Sequence, residues 1–217
     1  MKKHIVCLGD SNTHGYCADP KDCADGGIRF NENERWTKRL QMLLGDDYLV
    51  TEEGLSGRTT CFDDPIHEGL SALQYITPCL KSHEFVDLLV IMLGTNDVKE
   101  RFAASAACVA IGMGRLVKKA IATECWGPNK PNILVIAPPH IGEGMLESEV
   151  GPTMGIGCIE KSRELAHYYK VQSELIGCHF MDAAGCEFNT VDYMHLTRRG
   201  HAQLAEKLAD LIPTLVE

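Results

Sequence analysis

The sequence predicts a doubly wound α/β domain, and three observations predict it. Short, nearly continuous apolar runs recur at 4–8, 48–51, 86–93, 132–137 and 178–181. Segments with helical spacing fill the gaps, so that strand and helix alternate about five times through 217 residues. Strands that are apolar on successive residues, rather than on every second one, are buried on both faces, which calls for a parallel sheet with helices on each side. A single domain spanning 1–217 is expected, because 45% apolar content fills one core of that size and no linker, low-complexity tract or repeat divides the chain.

The elements follow in order. The run 4–8 is a strand that ends at Gly9, where polar residues begin. The helix expected over 34–44 sets Trp36, Leu40, Leu43 and Leu44 on one side, which assigns Trp36 to the core. A second strand lies at 48–51, and a weaker helical pattern at 70–80 precedes the third strand at 86–93. The helix over 104–122 carries Met113 and Leu116 in its core stripe; its Gly112-Met113-Gly114 follows no strand and is no dinucleotide fingerprint. After the strand at 132–137, the segment 138–157 has five glycines, three prolines and no periodicity. An aperiodic stretch of that length is functional or mobile, and it is expected to border the site or an interface. A helix over 159–176, a strand at 178–181 and a helix over 197–216 complete the order.

Charge and composition narrow the function. With 21 Lys and Arg against 30 Asp and Glu, the formal net charge is -9 and no basic stripe offers itself to phosphates, so neither a nucleic acid nor an anionic membrane is an expected partner. The longest apolar run, Leu88 to Leu93, is far short of the ~20 residues of a membrane span, and a cytoplasmic location is expected. The ten cysteines are scattered without a CxxC pair and are expected to be reduced thiols, not zinc ligands.

In a parallel sheet, ligands collect beyond the carboxyl ends of the strands. Gly9-Asp10-Ser11-Asn12, Glu53-Gly54-Leu55-Ser56, Gly94-Thr95-Asn96-Asp97 and Asp192-Tyr193-Met194-His195 stand at such places. A serine becomes a nucleophile when a base takes its proton and a third group orients that base. Asp192, three residues before His195, can orient the imidazole and leave its other nitrogen for Ser11. The backbone amides of Ser11 and Gly54 and the side chain of Asn96 are the expected oxyanion donors. Asp10, Asn12, His14 and Thr95, beside these groups, are the candidates for contacting substrate.

These blocks resemble the SGNH hydrolases, also called GDSL-type esterases and lipases. The Ser, Gly, Asn and His of the family name match Ser11, Gly54, Asn96 and His195, and GDSN, EGLSGRT, LGTND and DxxHLT occur in the family's order over most of the chain. Arg35-Trp36, Glu52-Glu53-Gly54-Leu55-Ser56, Arg58-Thr59-Thr60 and Asp63-Asp64-Pro65 are similar to the bacterial arylesterase and acyltransferase branch. Asn12 stands where the family name has Leu, and Glu53 where many members have Asn, departures that bear on substrate preference. The resemblance implies a flavodoxin-like three-layer fold, ester hydrolysis with neither metal nor other cofactor, and self-association, with 138–157 as the segment for it.

The expected activity is a serine esterase acting on small, short-acyl carboxylic esters through an acyl-enzyme, with no long apolar lid to suggest action on aggregated lipid. Carbohydrate acetylesterase, acyltransferase and thioesterase actions on the same site are the alternatives, and a ligand-binding module without turnover is the rival of another class. Simpler roles are expected for other residues. Ser56 is a turn residue in an incomplete GxSxG, whose last position is Arg58. Asp97 is a helix cap, Asp10 a buried acceptor, and His201 a surface residue of the last helix.

Overall fold

A computed structural model describes residues 1–216. Five strands, β1 (Lys3–Gly9), β2 (Tyr48–Gly54), β3 (Leu88–Met92), β4 (Ile133–Ala137) and β5 (His179–Asp182), form one sheet in the order β2-β1-β3-β4-β5, and every pairing is parallel. This is the flavodoxin-like order, in which the chain reverses its winding direction between β1 and β3. The ends of β1, β2 and β3 are level, since Gly9 pairs with Gly54 on one side and Met92 on the other. Whatever follows those strands therefore meets at one edge.

The continuous apolar runs are explained by two cores, one on each face of the sheet. Val6, Leu8, Leu89, Ile91 and Val135 join a cluster beneath α3 (Ala72–His83), α4 (Ala106–Ile121) and α6 (Cys158–Ile176). The residues between them, Ile5, Cys7, Leu88, Val90 and Leu134, join a second cluster beneath α2 (Trp36–Leu44) and α7 (Arg198–Leu211). Successive side chains of a strand point to opposite faces, so both must be apolar. In α2 the expected stripe is narrower: Trp36 and Leu40 are buried, whereas Leu43 is 52% exposed. Pro78 lies inside α3, which accounts for the weak pattern there.

Two short helices, α1 (Ser11–His14) and α5 (Gly151–Met154), flank the sheet's carboxyl edge. The segment 138–157 is not structureless, for it holds α5 and a 3-10 turn at Glu143–Glu147. All ten cysteines are free. Among the described residues no helix is long and apolar enough to cross a membrane.

Candidate active site

β1 ends at Gly9, where there is no room for a side chain: a Cβ would lie 2.0 Å from Thr13 Oγ1 and 2.9 Å from the Met92 carbonyl oxygen. The chain turns there, and Asp10 caps α1 by accepting a hydrogen bond from the Asn12 amide at 3.0 Å. Ser11, the first residue of α1, is thereby lifted onto the edge of the sheet. Its Oγ lies 2.7 Å from His195 Nε2, and His195 Nδ1 lies 2.6 Å from Asp192 Oδ2. With the imidazole neutral, Nδ1 donates to Asp192 and Nε2 accepts from the serine hydroxyl, which is the relay needed to withdraw the serine's proton.

The carboxylate is held from several directions. Asp192 Oδ1 accepts from Asn189 Nδ2 at 2.9 Å and from the Met194 and His195 amides, each at 3.1 Å. Burial alone would push its pKa up, but the hydrogen bonds and charge of His195, with those of Asn189 and Met194, prevail and hold it at about 2. Tyr193, between Asp192 and His195, has φ of 62°, a left-handed conformation uncommon for a side chain of that size. Its carbonyl accepts from the Gly142 amide at 2.8 Å, and a Cβ on Gly144 would lie 2.3 Å from its ring. Segment 138–157 thus clasps the 192–195 turn, and its glycines admit the tyrosine. Tyr16 completes the surroundings, with its ring centroid 4.6 Å from that of His195.

A cavity of about 470 Å³ opens over Ser11 and His195. Asn96 and Gly57 line it beside the serine, while Leu70, Val150, Met154 and Met194 give it apolar walls. Val150 and Met154 come from 138–157, so that segment does border the cavity. Asn96 Nδ2 donates one hydrogen to the Arg58 carbonyl at 3.2 Å, which orients the amide and leaves its second hydrogen for a ligand.

Several residues stand differently from the sequence expectation. Gly54 does not line the cavity; a Cβ there would lie 2.2 Å from the His14 amide nitrogen, so this glycine lets α1 pack on the end of β2. Gly57, three residues on and with φ of 86°, is the glycine facing the cavity. Of the expected substrate contacts, Asp10, Asn12, His14 and Thr95 are all absent from the cavity wall. Asp10, Asn12 and Thr95 are buried beneath it, and Asn12 stitches α1 to the turn carrying His195 by accepting from the Leu196 amide and donating to the Met194 carbonyl. His14 faces away toward Gly54, Arg29 and Glu52; burial first, and then Arg29, lower its pKa. Glu53 is likewise a support, accepting from Tyr75 and paired with His83.

Asp97 is no helix cap. Its Oδ1 accepts from the Thr60 amide at 2.8 Å and hydroxyl at 2.5 Å, tying the loop after β3 to the 59–61 strip. Asp10 and Asp97 are both buried, and burial raises each to about 6 against the hydrogen bonds each accepts. His201 is not on the surface: it is fully buried, accepts from the Trp36 amide through Nδ1 at 3.2 Å, and packs edge-on to Phe30. Trp36 is in the core as expected, and its indole also donates to the Asn12 carbonyl at 3.1 Å.

One trio has donor atoms close enough for a metal ion among the described residues: Glu53, Cys79 and His83. It lies off the cavity, its carboxylate is already engaged by His83 and Tyr75, and the Arg58 guanidinium sits 4.8 Å from the Tyr75 ring centroid, adding positive charge. That is a poor setting for a cation.

The chain matches the GDSL-like Lipase/Acylhydrolase family over residues 7–203. Its fold is similar to that of the aryl esterase of M. smegmatis, with 34% identity and a TM-score of 0.88 over 99% of this chain and 100% of the other. A carbohydrate acetylesterase from Sinorhizobium meliloti is 33% identical, with a TM-score of 0.86 over 99% of this chain and 100% of its own. A lipolytic protein of the G-D-S-L family from Veillonella parvula, 15% identical with a TM-score of 0.69, shares the fold. No curated protein sequence matches.

Proposed function

This chain belongs to the GDSL-like lipase/acylhydrolase family and is a carboxylic ester hydrolase, and from that premise we propose that Ser11, His195 and Asp192 are its catalytic triad and that it cleaves small, short-acyl esters through an acyl-enzyme. The observation carrying this reading is the unbroken line from Ser11 Oγ through His195 to Asp192, at 2.7 and 2.6 Å, beneath a cavity of about 470 Å³.

In the first half of the reaction, Ser11 Oγ bonds to the ester carbonyl carbon as its proton passes to His195 Nε2. The carbonyl π pair moves onto oxygen, where the Ser11 and Gly57 amides and Asn96 Nδ2 receive it. Collapse expels the alcohol, which takes the proton from His195 and leaves the acyl group on Ser11. Water then repeats the sequence, giving up a proton to His195, and the carboxylic acid departs as Ser11 recovers its hydrogen. Asp192 keeps the imidazole in the required tautomer and stabilises its cationic form throughout.

The decisive test pairs p-nitrophenyl acetate hydrolysis with intact-mass detection of a fluorophosphonate adduct, for the wild type and Ser11→Ala. Turnover and a single adduct, both lost in the variant, are expected. Turnover that survives the substitution overturns the assignment. Acetylated carbohydrate is the second substrate class to assay, because the Sinorhizobium meliloti neighbour is a carbohydrate acetylesterase.

A further inference from the structure

Lys99 is a largely buried lysine whose ammonium has no counter-ion in contact. It lies three residues after Asn96, is 5% exposed, and lines the cavity together with Ser11 and Asn96. Among the described residues, nothing accepts a hydrogen bond from its ammonium and no carboxylate oxygen comes within 4 Å of it. The acidic groups around it are committed elsewhere: Asp64 is paired with Arg101 at 2.8 Å, Asp10 caps α1, and Asp97 holds Thr60. These three act on Lys99 only at longer range, and Arg101 opposes them. Burial is the largest influence and presses the ammonium toward losing its proton.

The Lys99 stem is buried and its ammonium reaches the cavity, where a charge largely shielded from bulk water attracts an opposite charge more strongly than an exposed one does. The cavity is where such a charge can arrive. Besides Lys99 and His195, three other titratable groups line it: Tyr16, half-buried, and His67 and Glu149, both exposed. Among the lining residues the one lysine is buried and the one carboxylate, Glu149, is exposed to solvent that screens its repulsion, so an anionic group gains by seating beside Lys99.

We propose that the preferred ester carries a carboxylate of its own, received by the Lys99 ammonium within the Ser11 cavity, and that Lys99 is a specificity-determining residue. The inference rests on the serine-esterase reading above. It concerns a part of the substrate that does not react, so it acts on KM and on the choice among esters, not on the bond-breaking groups.

The experiment compares each anionic ester with an uncharged counterpart: 4-acetoxybenzoate with 4-acetoxybenzamide for charge on the leaving group, and monoethyl adipate with its amide for charge on the acyl side. In one pair the wild type is expected to favour the anion in kcat/KM by on the order of tenfold, chiefly through KM. Lys99→Gln should abolish that preference while changing neutral aryl acetates by less than about threefold, and Lys99→Arg should restore part of it. No preference for either anion in the wild type, or equal losses on charged and neutral esters in Lys99→Gln, would overturn the proposal and make Lys99 a distant counter-ion for Asp10, Asp64 and Asp97. Benzoate and benzamide binding to Ser11→Ala, measured by calorimetry, reads the same preference without turnover and without altering Lys99. Tighter benzoate binding supports the proposal and equal binding counts against it. Failure of neutral ester turnover, by contrast, sinks the serine-esterase reading whatever benzoate does.

Discussion

Asn12 and Leu196, 184 positions apart, are joined by a 2.9 Å hydrogen bond from the Leu196 amide to Asn12 Oδ1. The same side chain donates to the Met194 carbonyl at 3.3 Å, so one amide grips both neighbours of His195 while sitting next to Ser11. Replacing it with the leucine of the family name removes both bonds and leaves a buried N–H and C=O unpaired. Asn12→Leu should cost roughly 2–4 kcal/mol in urea unfolding and lower kcat, because the two halves of the relay lose their common fastening. An unchanged urea midpoint would refute this role.

Asn96 is held by a single bond to the Arg58 carbonyl, with its remaining hydrogen free for the cavity. If that hydrogen meets the oxyanion, Asn96→Ala should lower kcat by roughly 10²- to 10³-fold with KM nearly unchanged. Steady-state kinetics on an aryl acetate decides it: a raised KM with intact kcat would assign Asn96 to ground-state binding.

Asn189 fixes Asp192 in place, and on the triad reading it acts through that carboxylate. Its Nδ2 donates to Asp192 Oδ1, while its own Oδ1 accepts from the Val191 and Asp192 amides at 2.7 and 2.9 Å. Asn189→Ala should reduce kcat by about tenfold through misorientation of the acid. Asn189→Asp should be worse, since it sets a like charge beside Asp192. Equal kcat values for the two variants would show that the geometry alone matters.

Stability should depend on pH through His201. Burial, followed by the charges of His195 and Arg35, depresses its pKa to about 3, whereas an unfolded histidine titrates near ~6.5. Between those values the unfolded chain binds the extra proton, so this contribution is complete above pH ~6.5 and is lost as pH falls toward 3. Asp10 and Asp97, raised to about 6, act in the opposite sense from pH 6 down to the unfolded carboxylate range. The difference between wild type and His201→Gln isolates the histidine. Its slope over that window should approach about 1.4 kcal/mol per pH unit, with the wild type losing more on acidification. Parallel curves in urea titrations at pH 4.5, 5.5 and 7 would rule this out.

The fold was legible because buried parallel strands write themselves as continuous apolar runs, and all five fell within a few residues of the expected positions. The meeting of Ser11 and Asn96 at one edge was legible because they follow the ends of β1 and β3, and the pairing of Asp192 with His195 because three positions separate them on one turn. Gly54 against Gly57 was not. Both glycines lie in one short block, and only the packing of His14 against the first shows which of them serves the backbone and which the cavity. Burial of His201 was hidden for a related reason: its partner Trp36 is 165 positions away. Asn189, Tyr16 and Lys99 carry no local pattern that separates them from turn, core or surface residues.

The separation of Ser11 and His195 by 184 positions also sets a timetable. During synthesis Ser11 emerges long before His195, so on the triad reading a nascent chain stalled anywhere before 195 exposes a serine with no imidazole to activate it. Hydrolytic activity in a translation reaction should accordingly report completed, fully docked chains, lagging behind any signal from the strands that form earlier.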